Sequence, residues 1–92
     1  MPQVFRVGPY LVYFWTNESN PPEPIHVHVT DGTPSKDDTK VWITQSGGAL
    51  VCHNKGDIPD HRLNDILDVV ASQSGYVVEC WKRVFGEVRF YC

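Results

Sequence analysis

Residues 25–30 read IHVHVT, and this strict alternation of apolar and polar side chains decides the fold. Successive side chains of a β-strand point to opposite faces, so the six residues divide into two sets. The apolar set is Ile25, Val27 and Val29, and the polar set is His26, His28 and Thr30. Because the apolar face needs a cover, we predict a strand that buries its valines and turns both imidazoles outward together.

Two further strands are predicted before this one. Residues 4–7 and 10–16 are rich in Val, Phe, Tyr and Trp, and Gly8-Pro9 between them favours the turn of a β-hairpin. Both faces of residues 10–16 are apolar. This pattern predicts a strand that is covered on both sides, or one whose aromatic face binds a partner.

Two more strands are predicted after it. Residues 40–44 and 49–53 are short apolar runs, and the Gly-Gly pair at residues 47–48 is typical of a hairpin tip. Residues 17–24 contain three prolines, and residues 31–39 are polar with Gly and Pro, so both segments are predicted to be loops.

The apolar period changes from two residues to about 3.6 after Pro59, which indicates an amphipathic helix. Pro59 suits a first helical turn, and Gly86 suits a helix end. Gly75 costs about 1 kcal/mol relative to alanine. Because the apolar phase continues across it, we predict one long, kinked helix over residues 59–86, followed by a terminal strand or an extended tail over residues 87–92.

These elements predict an α+β fold, in which a small antiparallel β-sheet packs against one long C-terminal α-helix. The chain of 92 residues, 41% of them hydrophobic, can build one modest core but not two. We therefore predict a single domain over residues 1–92. Its β-sheet portion is residues 1–58, its helix is residues 59–86, and residues 87–92 are the terminal strand or tail.

The charge balance disfavours a nucleic-acid-binding surface. The chain has 8 Lys and Arg against 11 Asp and Glu, for a net charge of −3, and its longest basic run is Lys82-Arg83. No stretch approaches the about 18 consecutive apolar residues of a membrane span, and the first residues do not resemble a signal peptide. We expect a cytoplasmic protein without a membrane partner.

Three cysteines form an odd set without a C-x-x-C pair, so we expect reduced thiols. Cys52 and Cys80 are predicted to be small core residues, and Cys92 is predicted to be exposed.

Several stretches carry a family resemblance: MPQVFR at residues 1–6, Gly8 with its aromatic strand, Asn17-Glu18 with Asn20-Pro21-Pro22, HVHV at residues 26–29, KVWI at residues 40–43, and a closing helix with Leu63, Ile66, Trp81 and Phe85-Gly86. Together they resemble the bacterial domain-of-unknown-function family 4160, over nearly the whole chain up to Gly86. The resemblance implies a compact intracellular αβ protein from a toxin–antitoxin-like gene pair, and it implies no established activity. This chain differs from the usual family pattern in the residues Glu23-Pro24-Ile25, which separate the two prolines from the histidines.

His26 and His28 are the candidate functional pair. Their Cα atoms are expected to lie about 6.5–7 Å apart on one strand face, where two imidazoles can share a divalent metal or act as acid and base. A zinc or iron site needs a third ligand. The available donors are Glu18, Glu23, Asp31, His53 and His61. We favour the alternative that both rings form hydrogen bonds or pack beside aromatic residues on the outer sheet face.

Other chemistry is less favoured by the sequence. Cys52 and His53 are adjacent, so within a regular strand they point to opposite faces and cannot pair. His53 and His61 are predicted to be surface residues. A solvated surface is predicted for four carboxylates: Asp57, Asp60, Asp65 and Asp68. We assign no catalytic residue and expect no cofactor, with a metal at His26 and His28 as the alternative.

Aromatic residues are concentrated in the first half of the chain: Phe5, Tyr10, Tyr13, Phe14, Trp15 and Trp42. For most of them we favour a buried position in the core. The alternative is that they are exposed and form a protein-binding patch. We predict a small binding module that contacts a protein partner or its own copy. The residues predicted to support the histidine pair are Asn17, Glu18, Asn20 and Trp42. The alternatives are a metal- or histidine-dependent, nuclease-like hydrolase centred on His26 and His28, and a nucleic-acid-binding regulator.

Overall fold

A computed structural model describes residues 3–16 and 23–92. The strands are β1 (Gln3–Val7), β2 (Tyr10–Tyr13), β3 (His26–Thr30), β4 (Thr39–Ile43) and β5 (Ala49–His53), and the helices are α1 (Asp60–Ser72) and α2 (Ser74–Phe85). The strands form one antiparallel sheet in the order β1-β2-β3-β4-β5, so each strand pairs with its neighbours in sequence. The predicted α+β class and antiparallel sheet are confirmed.

The two predicted hairpins are present, and a glycine with positive φ lies in each turn. Gly8 has φ 57° between β1 and β2, and Gly47 has φ 89° between β4 and β5. Residues other than glycine adopt this region at a steric cost, which is why the two turns fall where the sequence places glycine.

The helices cover the valine face of the sheet, as predicted. The core consists of sheet residues and helix residues in contact: Val12, Phe14, Ile25, Val27, Val29, Val41 and Ile43 from the sheet side, and Leu63, Ile66, Val70, Val77 and Trp81 from the helices. Val27 is fully buried, and Val29 is 1% exposed. Each such side chain contributes roughly 1.5–3 kcal/mol by leaving water, so this face holds the fold together.

The prediction of one long helix is wrong, because Gln73 separates two helices of 13 and 12 residues. Gln73 has φ −105° and ψ 13°, and its N–H donates to the carbonyls of Val69 and Val70. One helix over residues 59–86 would be about 42 Å long, whereas the longest dimension of the molecule is 33 Å. The break at a segment of low helix propensity therefore lets both halves pack on the same sheet.

Helix α2 ends where the sequence predicts. Gly86 has φ 80°, and its N–H donates to the carbonyl of Lys82 at 2.8 Å. Lys82 and Arg83 lie in the last turn, where their positive charges favour the carbonyl end of the helix.

Residues 87–92 form an extended tail rather than a strand. The carbonyl of Arg89 accepts from the N–H of Ile25 at 2.7 Å, and the carbonyl of Cys92 accepts from the N–H of Gln45 at 2.9 Å. Val88 and Phe90 pack against the core. The tail therefore crosses the sheet at the start of β3 and the end of β4.

The cysteine prediction is correct for Cys92, which is exposed, and wrong for Cys52, which is exposed too. Ala49 and Val51 pack against the core from β5, so the intervening and following positions turn away from it. Cys80 is half-buried beside the core. All three thiols are free.

Within residues 3–16 and 23–92, neither helix has the length and hydrophobicity that crossing a membrane requires.

Candidate functional site

The sheet face opposite the core, here called the outer face, carries two rows of side chains that cross neighbouring strands. In the first row, Tyr13 pairs with His28, His28 with Lys40, and Lys40 with His53. In the second row, His26 pairs with Trp42, and Trp42 with Leu50. Directly paired residues have Cβ atoms about 4.5–5.5 Å apart, so each row is a line of neighbours.

The two histidines lie on the predicted face, but they are buried rather than turned to solvent. His26 is fully buried and His28 is 7% exposed. The ring centroids of His26 and His28 are 5.0 Å apart, and the Tyr13 ring lies 5.4 Å from that of His28. The prediction that both rings face solvent is therefore wrong, and their packing beside aromatic residues matches the favoured alternative.

Trp81 explains how His26 becomes enclosed. Its ring reaches from α2 to lie 5.3 Å from His26, while also lying 5.0 Å from Phe14 and 4.5 Å from Phe85. Trp42 contacts His26 from β4, with ring centroids 5.8 Å apart. His26 thus lies where the hydrophobic core and the outer face meet.

A backbone contact fixes the tautomer of His26. Its Nδ1 lies 2.9 Å from the carbonyl oxygen of Pro24, and because a carbonyl only accepts, Nδ1 must carry the hydrogen. In the neutral ring Nε2 is then the nitrogen with the lone pair, an arrangement also found in histidines that bind metals.

Within residues 3–16 and 23–92, the structure does not join a predicted third ligand to the two histidines, and Lys40 lies between His28 and His53. The part of the chain that the structure describes contains no group of three His, Cys, Asp or Glu residues placed to hold a metal ion. Glu23 binds Lys40 at 3.1 Å, and His61 is exposed on α1. Asp31 is exposed after β3. Glu18, together with the predicted supporting residues Asn17 and Asn20, lies outside the described residues.

Among the other predicted residues, His61 is exposed as predicted, whereas His53, also predicted to be a surface residue, is half-buried. The four carboxylates are exposed, as predicted: Asp57, Asp60, Asp65 and Asp68. Of the aromatic residues, Tyr10, Tyr13 and Phe14 are buried. Phe5, Trp15 and Trp42 are half-buried. Most of the aromatic surface therefore belongs to the interior.

Asp38 organises the loop between β3 and β4 and was not predicted from the sequence to be important. The Tyr13 hydroxyl donates to Asp38 Oδ2, which also accepts from the N–H of Ser35 at 2.9 Å. The Ser35 hydroxyl donates to Oδ1 at 3.3 Å. Asp38 is only 7% exposed. The feature of the sequence that could have identified Asp38 is its spacing from Ser35 in a polar loop, because this spacing permits these local hydrogen bonds.

Tyr13→Phe is expected to lower the free energy of unfolding by about 1–2 kcal/mol, because it removes a buried hydroxyl that donates to a carboxylate. Urea titration followed by circular dichroism measures this change. Tyr91→Phe is the matched control, since Tyr91 is 60% exposed and its change should cost close to nothing. Equal costs for the two variants would contradict the importance of the Tyr13–Asp38 bond.

Two lysines, Lys40 and Lys55, lie near His53 at the end of the first row. Burial is the main factor that lowers the pKa of His53, and the positive charges of Lys55 and Lys40 lower it further, against the opposing effect of Asp37. His53 Nδ1 accepts from the N–H of Lys55 at 3.3 Å. Lys40 binds Glu23, so its charge is partly compensated. His53 and Lys55 are the basic groups nearest the free edge of the sheet.

The second row ends in apolar surface, here called the apolar patch and formed by Trp42, Leu50 and Tyr91. Tyr91 stacks on Trp42, with centroids 4.7 Å apart and planes at 8°. Lys40 Nζ lies 4.6 Å from the centroid of the Trp42 ring. Leu50 is 46% exposed and Tyr91 60% exposed. Of the four large hydrophobic residues that are exposed in the described part of the chain, Leu50 and Tyr91 both lie beside Trp42.

Comparison with known proteins gives one family match. The model of the family described as Domain of unknown function (DUF4160) matches residues 10–82, which include four of the five strands and most of both helices. No curated protein and no solved structure matches the chain.

Proposed function

Because the chain belongs to the DUF4160 family, whose description names no activity, we propose its function from the geometry of the outer face: it is a protein-binding module that uses the apolar patch. Trp42 and Tyr91 are stacked flat, and Leu50 lies beside Trp42 on the neighbouring strand. Aromatic side chains held rigid at the surface lose little entropy on binding and supply much of the energy of protein interfaces. The exposure of Leu50 and Tyr91 carries this proposal.

The histidine pair packs beneath the apolar patch and does not contact the partner. His26 is fully buried, and its ring contacts Trp42, which is the centre of the patch. A nuclease-like hydrolase would need a phosphodiester to reach the ring nitrogens of His26 and His28, and their burial favours the binding function over that activity. The partner that the family resemblance suggests is the second protein of a toxin–antitoxin-like pair in the cytoplasm.

Leu50→Lys is expected to weaken partner binding about 100-fold, because it removes an apolar contact and places a charge in the interface. The measurement is isothermal titration with the protein encoded by the adjacent gene, purified separately. Sedimentation of the chain alone across a concentration series tests self-association in the same preparation.

Val84→Lys is the matched control. Val84 is 42% exposed on α2, close to the 46% of Leu50, so both variants introduce the same charge at similarly exposed aliphatic positions. We expect Val84→Lys to bind like the unaltered chain. If both variants bind equally, or if no partner and no self-association is found, the apolar patch is not a binding surface.

A further inference from the structure

Strand β5 is an edge strand with no charged residue or proline to oppose strand pairing before its irregular register at Cys52. In residues 3–16 and 23–92 no strand lies on its outer side, so one row of its backbone groups faces outward. Edge strands are commonly protected by charged residues or proline. β5 reads ALVCH and has neither, whereas β1 at the opposite edge carries Arg6. An unpaired strand of this kind is a site for strand addition.

The pairing of β5 with β4 leaves a regular segment for such addition. Ala49, Leu50 and Val51 pair in order with Ile43, Trp42 and Val41. The register shifts only between Val51 and His53, where Cys52 is the additional residue. The regular segment therefore includes Leu50 of the apolar patch, and it ends just before His53.

A sixth strand beside β5 would extend both rows of the outer face. A sixth strand that follows the irregularity at Cys52 as β4 does would place two side chains, two positions apart, beside Leu50 and His53, at the distance of direct cross-strand neighbours. The position beside Leu50 continues the apolar patch. The position beside His53 is close to Lys55, whose N–H donates to the His53 ring.

We propose that an extended segment of the partner protein adds to the sheet at β5, with an apolar side chain against Leu50 and a carboxylate against His53 and Lys55. This inference rests on the proposed function and specifies its partner as an acidic, strand-forming segment. Main-chain hydrogen bonds to β5 supply part of the affinity, and the two side-chain positions supply the selectivity.

A second copy of the chain fits this edge less well. Strand β5 reads ALVCH and contains no carboxylate, so pairing with its own copy places no Asp or Glu beside His53 in any register. Such a neighbour offers no negative charge to Lys55 and no carboxylate acceptor to the His53 ring. A partner with Asp or Glu at this position would complement the charge of Lys55 and accept a hydrogen bond from the neutral His53 ring, which is why the geometry points to a different protein.

The test uses a library of short random peptides displayed on phage, selected on the unaltered chain and on Leu50→Lys and Lys55→Glu variants of it. Peptides lost on Leu50→Lys are expected to carry an apolar residue and an Asp or Glu two positions away from it, because both side chains must point to the outer face. A synthetic peptide of the selected sequence should bind Lys55→Glu about five- to tenfold more weakly, and its affinity should fall with added salt. On binding, hydrogen exchange should slow at the amides of residues 49–53.

Each other outcome overturns a defined part of the proposal. Peptides that need Leu50 but show no excess of Asp and Glu contradict the acidic partner and leave the proposed function intact. Unchanged exchange at residues 49–53 contradicts strand addition. If no selected peptide depends on Leu50, the proposed function itself fails. Binding of a single-stranded RNA oligonucleotide that is lost in Lys55→Glu but kept in Leu50→Lys would assign the basic groups to phosphate instead.

Discussion

Trp81→Ala is expected to lower the free energy of unfolding by about 3–5 kcal/mol, the largest effect of any single change considered. Trp81 is 2% exposed, and its ring contacts Phe14, Phe85 and His26. Alanine leaves a cavity at the place where α2, the sheet and the outer face meet. For a domain of 92 residues, whose total stability is about 5–15 kcal/mol, the variant should be close to unfolding. Urea titration followed by tryptophan fluorescence and circular dichroism measures the change.

Trp42→Ala is the control for this prediction, because it removes the same side chain from a half-buried position. Its ring contacts Tyr91 and Lys40 near the surface, so little buried volume is lost. We expect a cost of about 1–2 kcal/mol for Trp42→Ala. A cost for Trp81→Ala no larger than that of Trp42→Ala would show that the contact of α2 with the sheet contributes little to the fold.

The strands, their hairpins and the core face could be predicted from the sequence, because these depend on local patterns. The alternation at residues 25–30 identifies the strand and assigns Val27 and Val29 to the side that the helices cover. The glycines at positions 8 and 47 mark turns that need positive φ. Such signals are contained within a few consecutive residues.

The break between α1 and α2 could not be predicted from periodicity. The apolar residues keep their phase across Gln73, so the pattern is the same for a continuous helix and for two helices in succession. The size of the sheet on which the helices pack distinguishes one helix from two, because a continuous helix would extend past the end of the molecule. That size is a property of the whole chain.

The burial of the histidines depends on distant parts of the chain in the same way. The alternation of side chains places His26 and His28 on the face of the sheet opposite the valines. It does not show whether other residues cover that face. Trp81, 55 positions further along the chain than His26, closes the site from α2. Asp38 likewise becomes buried only because Tyr13 from β2 meets the loop before β4.

His26→Ala is expected to lower the free energy of unfolding by about 2–4 kcal/mol, the second largest effect. The change removes a fully buried ring together with its hydrogen bond to the carbonyl of Pro24, and it leaves Trp42 and Trp81 without the side chain that separates them. If His26 holds Trp42 in place within the apolar patch, the affinity for the partner should fall as well. The measurements are urea titration and isothermal titration with the same partner as for Leu50→Lys.

His61→Ala provides the control, because it removes the same ring from an exposed position on α1 and should change stability by no more than about 0.5 kcal/mol. The structural role and the metal-binding alternative predict different results for His26→Ala. A structural role requires the loss of stability in protein stripped of metal with a chelator. If the unaltered chain instead binds stoichiometric zinc or iron, and His26→Ala loses the metal while the chelated proteins are equally stable, then His26 is a ligand. Its contacts with Trp42 and Trp81 would then be a consequence of the metal site and not the reason for its burial.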